Sequence, residues 1–474
     1  MTPNSGQLEM TFAPGENTFK NNLDKGIFTL LIEHDSPGAD VAPEEAGRRL
    51  VLLDQAVQRA SEIMPTGLAI TDQYNFSHSH RAAEYAGALP PERRNAHLIY
   101  LSGRETTFER MVELIQLCRN AGIRNLVPVS GDFHNNMTRN VFTEDVRTIK
   151  WIKENYPDAS PGAVVNPYKY RADTQFAQFF KLIKKLKTGS GFVVTQAGWD
   201  MRKLQALKWY MEYRNLDFPV IARLMLLTPR SLEQIRNGAF PGITVSPDFE
   251  AILHNELAFS AKQFEAAQWR RLELQAAGCK FLGFSGIQIS GVDTPDKIRL
   301  TAMRIKAALR EFSSFDQWVE EYCAYQAKAE MAPTPNSFMM FEGLLSRQYF
   351  DPTVRFCRNG LFSGVKMQDR LLYFIKSMLF KHCDGQRPSG RRILKKILAG
   401  CSGCGQCRLH DTAFICTEKC PKKLANGPCG GVRQNGRCEI SSAICVHSRI
   451  TAIREWQHDP DKLEDLYVPA NDEF

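Results

Sequence analysis

Residues 26–72 read GIFTLLIEHDSPGADVAPEEAGRRLVLLDQAVQRASEIMPTGLAITD, and their order decides the fold. The apolar run Phe28–Ile32 predicts a strand, the stretch opening at Pro43-Glu44-Glu45 a helix, and Gly67–Thr71 a second strand. Strands joined through a helix lie parallel, because the helix carries the chain back before the next strand begins. The unit recurs. Ala96–Leu101, Asn125–Val129, Gly162–Val165, Phe192–Thr195, Pro219–Leu224 and Phe281–Ile289 predict six more strands, each followed by a helical stretch. Eight such units predict an α/β fold, a closed (β/α)₈ TIM barrel over residues 22–312. A doubly wound open sheet is the competing architecture. Against it, no strand is followed by GxGxxG, and no GxxxxGK[ST] phosphate loop occurs.

The 474 residues, 43% hydrophobic and 24% charged, suffice for a large core and a second small domain. A net charge of +8 is mild at this length and predicts no nucleic-acid partner. The basic stretch Arg387–Lys396 reads as a solvated helix face. No basic segment followed by an apolar one opens the chain, and no apolar run is long enough to cross a bilayer. A cytoplasmic protein without membrane contact is expected.

Active sites of such barrels sit at the C-terminal ends of the strands. The polar residues there are Glu33, His34 and Asp35 after the first strand, and Thr71-Asp72 after the second. Asp132 follows the fourth, Asn166 the fifth and Gln196 the sixth, while Gln288 lies late in the eighth. There is no pair of acids in glycosidase arrangement, no Ser–His–Asp set and no histidine triad for a metal. Amides and few ionisable groups on one rim suit an organic cofactor that carries the hard chemistry.

Eight of the thirteen cysteines crowd between positions 401 and 445: Cys401, Cys404, Cys407, Cys416, Cys420, Cys429, Cys438 and Cys445. Cys401-x₂-Cys404-x₂-Cys407 places three thiols on one glycine-containing loop, and Asn426-Gly427-Pro428-Cys429-Gly430-Gly431 supplies further sharp turns. Residues 398–450 therefore predict a small Cys-rich metal-binding domain. Four-thiolate coordination suits zinc or an iron–sulfur cluster such as [4Fe-4S], and eight thiols fill two such sites or one with spares. Residues 313–397 predict a helical connector, with Phe338-Met339-Met340-Phe341 on docking helices. Residues 451–474 read as a surface tail. The remaining cysteines, Cys118, Cys279, Cys323, Cys357 and Cys383, read as packed in apolar surroundings.

At the rim the chain resembles the methylenetetrahydrofolate reductases, over roughly residues 22–312. Leu31-Ile32-Glu33-His34-Asp35-Ser36-Pro37 is similar to that family's first-strand Glu and proline turn, and Asn125–Asp132 to its fourth-strand Arg-Gly-Asp segment. Val193-Val194-Thr195-Gln196 resembles its Thr-Gln, Ala96-His97-Leu98 its His-Leu-Thr, and Lys185 stands ten residues before Thr195 like a flavin-contacting Lys. Residues 401–445 look like a C-terminal cysteine domain found in some of these reductases. The departures are a single proline after Glu33, Ser130 in place of Arg, and Asn166 where many members carry Tyr on the adenine side of the flavin.

The resemblance implies flavin-dependent interconversion of 5,10-methylene- and 5-methyltetrahydrofolate. Glu33 would deliver a proton to the leaving nitrogen of a folate substrate, which requires apolar surroundings that keep it partly protonated. Thr71, His97, Asp132, Asn166 and Lys185 would hold the flavin, with Lys185 on a phosphate. Gln196 and Asp132 would hold the pterin. FAD is the first cofactor and FMN the second. Lys181–Lys187 alone would be a solvated helix face, and His97, which opens its strand, a packed structural residue. A nicotinamide nucleotide or a redox protein would be the electron partner, in a homo-oligomer. The competing readings are a flavin-free methyltetrahydrofolate-binding barrel for methyl transfer, and a non-catalytic assembly protein docking through its metal domain.

Overall fold

A computed structural model describes residues 16–72, 79–134, 137–292, 294–326, 329–334, 336–357, 365–381, 392–404, 407–458, 461–465 and 467–469. Eight strands form a closed parallel barrel in sequential order: β1 Thr29–Asp35, β2 Thr66–Thr71, β3 Leu98–Ser102, β4 Asn125–Val129, β5 Ser160–Val165, β6 Phe192–Thr195, β7 Val220–Met225 and β8 Gly286–Ser290. β1 closes on β8, with Thr29 opposite Gly286 and Ile32 opposite Ile289. The strands are buried on both faces, by helices outside and by their own side chains within, which is why they read as apolar runs rather than alternations. The eighth strand is shorter than Phe281–Ile289. Helix Ala261–Phe281 runs through Phe281, and the turn at Gly283 intervenes before β8.

The barrel interior is filled by Leu31, Ala69, Leu98, Val127, Phe192, Val194 and Ile221. Its lower end is stopped by helix Thr18–Asp24, whose Phe19 meets the Phe192 ring edge-on at 5.2 Å. The active end is therefore the opposite one.

The connector is helical only in part. Helix Phe315–Tyr325 packs Trp318 and Tyr322 on the barrel, but Phe338 and Phe350 lie in irregular chain, and Phe341 and Phe356 pair in an isolated antiparallel bridge. They dock by aromatic contact with Phe176, Trp209 and Tyr213 rather than by helix packing. The end of the chain is not a surface tail. Helix Val446–Trp456 buries Ile450 and Ile453 and lies against helix Ala172–Lys187. Buried Glu464 accepts a hydrogen bond from Tyr210 Oη at 3.2 Å and pairs with Arg214, so acidic residues that suggested solvent are neutralised by the barrel. Residues 387–391 of the basic stretch and Cys383 lie outside the described residues. Among those described, no helix is long and apolar enough to cross a membrane.

Candidate active site at the barrel rim

Strand parity places the side chains. Leu31 points into the barrel, so Glu33, two residues later, points the same way one layer higher. Ile221 and Arg223 on β7 repeat this arrangement, as do Leu98 and Tyr100 on β3. Arg223 grips Glu33 with two bonds: Nε donates to Oε2 at 2.6 Å and Nη2 to Oε1. Its Nη1 donates to Gln196 Oε1 at 2.7 Å. Gln288 Nε2 donates to Glu33 Oε2 at 2.7 Å, while Gln288 Oε1 accepts from Tyr100 Oη at 2.7 Å. Burial works against the Arg223 charge, but the Glu33 carboxylate more than offsets it and holds the guanidinium above its usual range. The expected apolar surroundings of Glu33 are thus corrected: its carboxylate lies in a fork of charge-assisted bonds.

A different carboxyl takes the proton-holding environment. Asp35 opens to the cleft, yet the walls around it strip enough water, with Glu33 adding repulsion, to push it up to about 6. Thr71 Oγ1 donates to its Oδ1, so Thr71 faces the cleft through this bond. Asp72, raised by burial, is fixed by Arg81 Nη2 at 2.9 Å and by the Ala82 N–H at 2.7 Å.

Asp132 follows Gly131, whose φ of +80° and close approach to Arg104 leave no room for a side chain. Burial first, then the charge of Glu439, pushes Asp132 up to about 6. Glu439 belongs to the C-terminal domain, which supplies one wall of the cleft. Lys422 Nζ donates to Gly131 O at 2.7 Å and pairs with Glu439 at 2.8 Å, and Glu439 Oε1 accepts from the Phe133 N–H at 2.5 Å. Pro428, Cys429 and Gly430 line the same cleft, which holds about 1280 Å³ of space open to solvent.

Four of the five side chains that the resemblance assigns to a flavin, Thr71, Asp132, Asn166 and Lys185, line one cleft together with Glu33 and Gln196. Asn166 Nδ2 donates to Gly242 O and Gly430 O, both at 3.0 Å, and its Oδ1 accepts from the Tyr168 N–H. Lys185 Nζ donates to Val164 O at 2.6 Å and pairs with Asp145 at 2.6 Å. His97 leaves the site altogether. It stands before β3, at the barrel end opposite the rim, fully buried, with Nδ1 accepting from the Leu68 N–H and Nε2 3.1 Å from Asp54. Its cofactor role is corrected to a structural one, since a residue opening a parallel strand cannot reach the C-terminal rim. The residues present thus suit the ring end of a flavin; those assigned to its phosphate and adenine are engaged by protein.

The eight clustered thiols fall into two sets. Cys416 neighbours Cys401 and Cys404, and packs in the apolar cluster that Cys407 also joins. Cys420, Cys429, Cys438 and Cys445 line one small cavity. The donor chemistry suits four-thiolate sites, although among the described residues no three Cys, His, Asp or Glu side chains converge tightly enough to hold a metal ion.

Sequence reasoning missed Arg223, Lys169, Lys422 and Glu439. For Arg223 a signal was there: a cation inside the buried run Pro219–Leu224, at the parity of Ile221, has to find a counter-charge.

Closed parallel strands with polar side chains gathered at one rim define a (β/α)₈ barrel protein with a C-terminal-face site. Residues 38–247 match the methylenetetrahydrofolate reductase family, and residues 381–473 match the domain described as methylene-tetrahydrofolate reductase C terminal. The chain is a methylenetetrahydrofolate reductase family barrel joined to that family's C-terminal domain. No curated protein matches it. A solved structure from Clostridium thermocellum, described as an uncharacterized protein that binds two copies of 5-methyl-5,6,7,8-tetrahydrofolic acid, is 17% identical. It covers 62% of this chain and 99% of its own with a TM-score of 0.45, a similarity that carries nothing about function.

Proposed function

We propose that this protein is an oxidoreductase that interconverts 5,10-methylenetetrahydrofolate and 5-methyltetrahydrofolate at the barrel rim. The observation that carries this reading is the Glu33–Arg223–Gln196–Gln288 network, which presents carboxylate and amide groups to the cleft of a barrel whose residues 38–247, Gln196 and Arg223 among them, match the reductase family. Amides with both donors and acceptors suit the edge of a pterin, and a carboxylate already fixed by Arg223 does not reorganise when substrate arrives. A flavin, held at its ring end beside Thr71 and Asp132, would supply the hydride chemistry when bound.

Reduction requires the bridging carbon–nitrogen bond of the substrate to break, with a proton reaching the leaving nitrogen. Asp35, with its ordinary value raised to about 6, holds such a proton near neutrality better than an unperturbed Asp. Glu33 orients the substrate and offsets positive charge on the opened carbon centre. The roles separate by substitution: Asp35→Asn removes proton delivery, whereas Glu33→Gln leaves Arg223 without its partner and weakens folate binding as well. Steady-state turnover and folate binding for both variants test this. Full activity in both sinks the proposal.

The C-terminal thiols are proposed to hold metal, as an iron–sulfur cluster or zinc in one or both four-thiol sets. Metal analysis together with the visible spectrum of anaerobically prepared protein distinguishes these.

A further inference from the structure

The segment Asn426–Val432 of the C-terminal domain lies against the β5–β6 side of the cleft and consumes the polar groups found there. Lys169 Nζ, itself fully buried, donates to Gly430 O at 2.7 Å and to Val432 O at 2.6 Å. Gln178 Nε2 donates to Cys429 O at 2.8 Å, Lys181 Nζ to Pro428 O at 3.2 Å, and Asn166 Nδ2 to Gly430 O at 3.0 Å. Glu144 accepts from the Asn426 N–H at 2.8 Å and from Asn426 Nδ2 at 2.9 Å. The surfaces approach most closely at two glycines. A Cβ on Gly427 would fall 2.7 Å from Lys181 Cβ, and one on Gly242 would fall 2.5 Å from Gly430 O. These are contacts of backbone laid directly on backbone and side chain, which is what glycine at those positions permits.

We infer that this segment stands where the adenylate half of a dinucleotide flavin would lie, so that the barrel accepts a flavin mononucleotide and excludes FAD. The inference rests on the flavin reading above and deepens it. Three of the ammonium groups on this side, those of Lys169, Lys181 and Lys185, are spent on backbone carbonyls and on Asp145, leaving the second phosphate without them. The adenine-side position, Asn166, has both amide hydrogens and its oxygen engaged. The cleft runs from Thr71, Asp132 and Gln196 at the ring end to Asn166, Lys185 and Gly430, where its polar wall is already hydrogen-bonded within the protein.

The test uses the full chain. Flavin released from anaerobically purified protein is identified by chromatography and mass, and the flavin-free protein is then titrated with FMN and with FAD by fluorescence quenching. FMN is expected in the released fraction, with FAD binding about 100-fold weaker or worse. FAD in stoichiometric amount, or FAD and FMN bound equally, overturns the inference while leaving the flavin reading intact. Binding of neither flavin overturns both.

Discussion

Glu33 and Asp35 stand two residues apart on one strand and face one cleft, but their neighbours differ. Glu33 is bound by a guanidinium and an amide; Asp35 has a hydroxyl and a neighbouring carboxylate. Because burial and Glu33 raise Asp35 to about 6, its acid form is lost as pH rises through that value. Methylene reduction is therefore expected to slow above about pH 6 and the reverse oxidation to quicken, with Asp35→Asn flattening both limbs and lowering turnover about 100-fold. A pH profile of each direction checks this; an unchanged profile in Asp35→Asn excludes Asp35 as the proton carrier. His97 supplies the contrast. His97→Ala is expected to cost about 1–3 kcal/mol of stability through the lost Leu68 and Asp54 partners, with flavin and folate affinity unchanged. Denaturant unfolding and ligand titration of that variant separate the two effects. The sequence made Glu33, Gln196 and Gln288 visible because strand ends are where rim residues come from. It did not show Arg223 as their keeper, since pairing across β1 and β7 depends on barrel closure.

At the scale of elements, helix Ala172–Lys187 shows what one-dimensional patterning hides. Its lysines resemble a solvated face, yet Lys181, Lys184 and Lys185 are buried, the first two beside the C-terminal domain. Two of them share Asp145, at 2.8 Å from Lys181 and 2.6 Å from Lys185. Burial opposes the Asp145 charge, but the two ammonium groups outweigh it and hold the carboxyl well below the usual range. Its folded value is depressed, so its contribution is present above the ordinary value of 3.8 and is lost as pH falls below it. Asp145→Asn is expected to destabilise the protein by about 3–5 kcal/mol at neutral pH, because two buried cations lose their counter-charge. The loss should shrink as pH falls below 3.8, where the carboxyl of the unfolded chain takes up a proton while the native one is still ionised. Thermal unfolding across pH measures both. The alternation of strands and helices was legible because each element repeats its own pattern locally; whether a helix face meets water was not, because the covering segment lies more than 200 residues away.

The whole molecule poses the question of what holds the C-terminal domain in shape. Its apolar interior consists of two small clusters, one around Val365, Ile415, Ile450 and Ile453, the other around Phe380, Leu409 and Phe414. Such clusters offset little of the entropy of ordering a domain rich in turns, at about 1–2 kcal/mol per residue for the backbone alone. Docking on the barrel contributes through Lys169, Lys422 and Glu144, but the loop carrying Cys401 and Cys404 lies away from those contacts. Metal bound by the thiols would supply the remainder, as it does wherever a small domain lacks a core. The expected result is iron or zinc in purified protein and, on treatment with a strong chelator, a lower melting temperature with newly reactive thiols. Because Cys429 also walls the cleft and donates to Glu439, flavin and folate affinity should fall together with the metal. A metal-free protein with the same melting temperature, the same thiol reactivity and the same ligand affinities would mean that docking alone orders the domain.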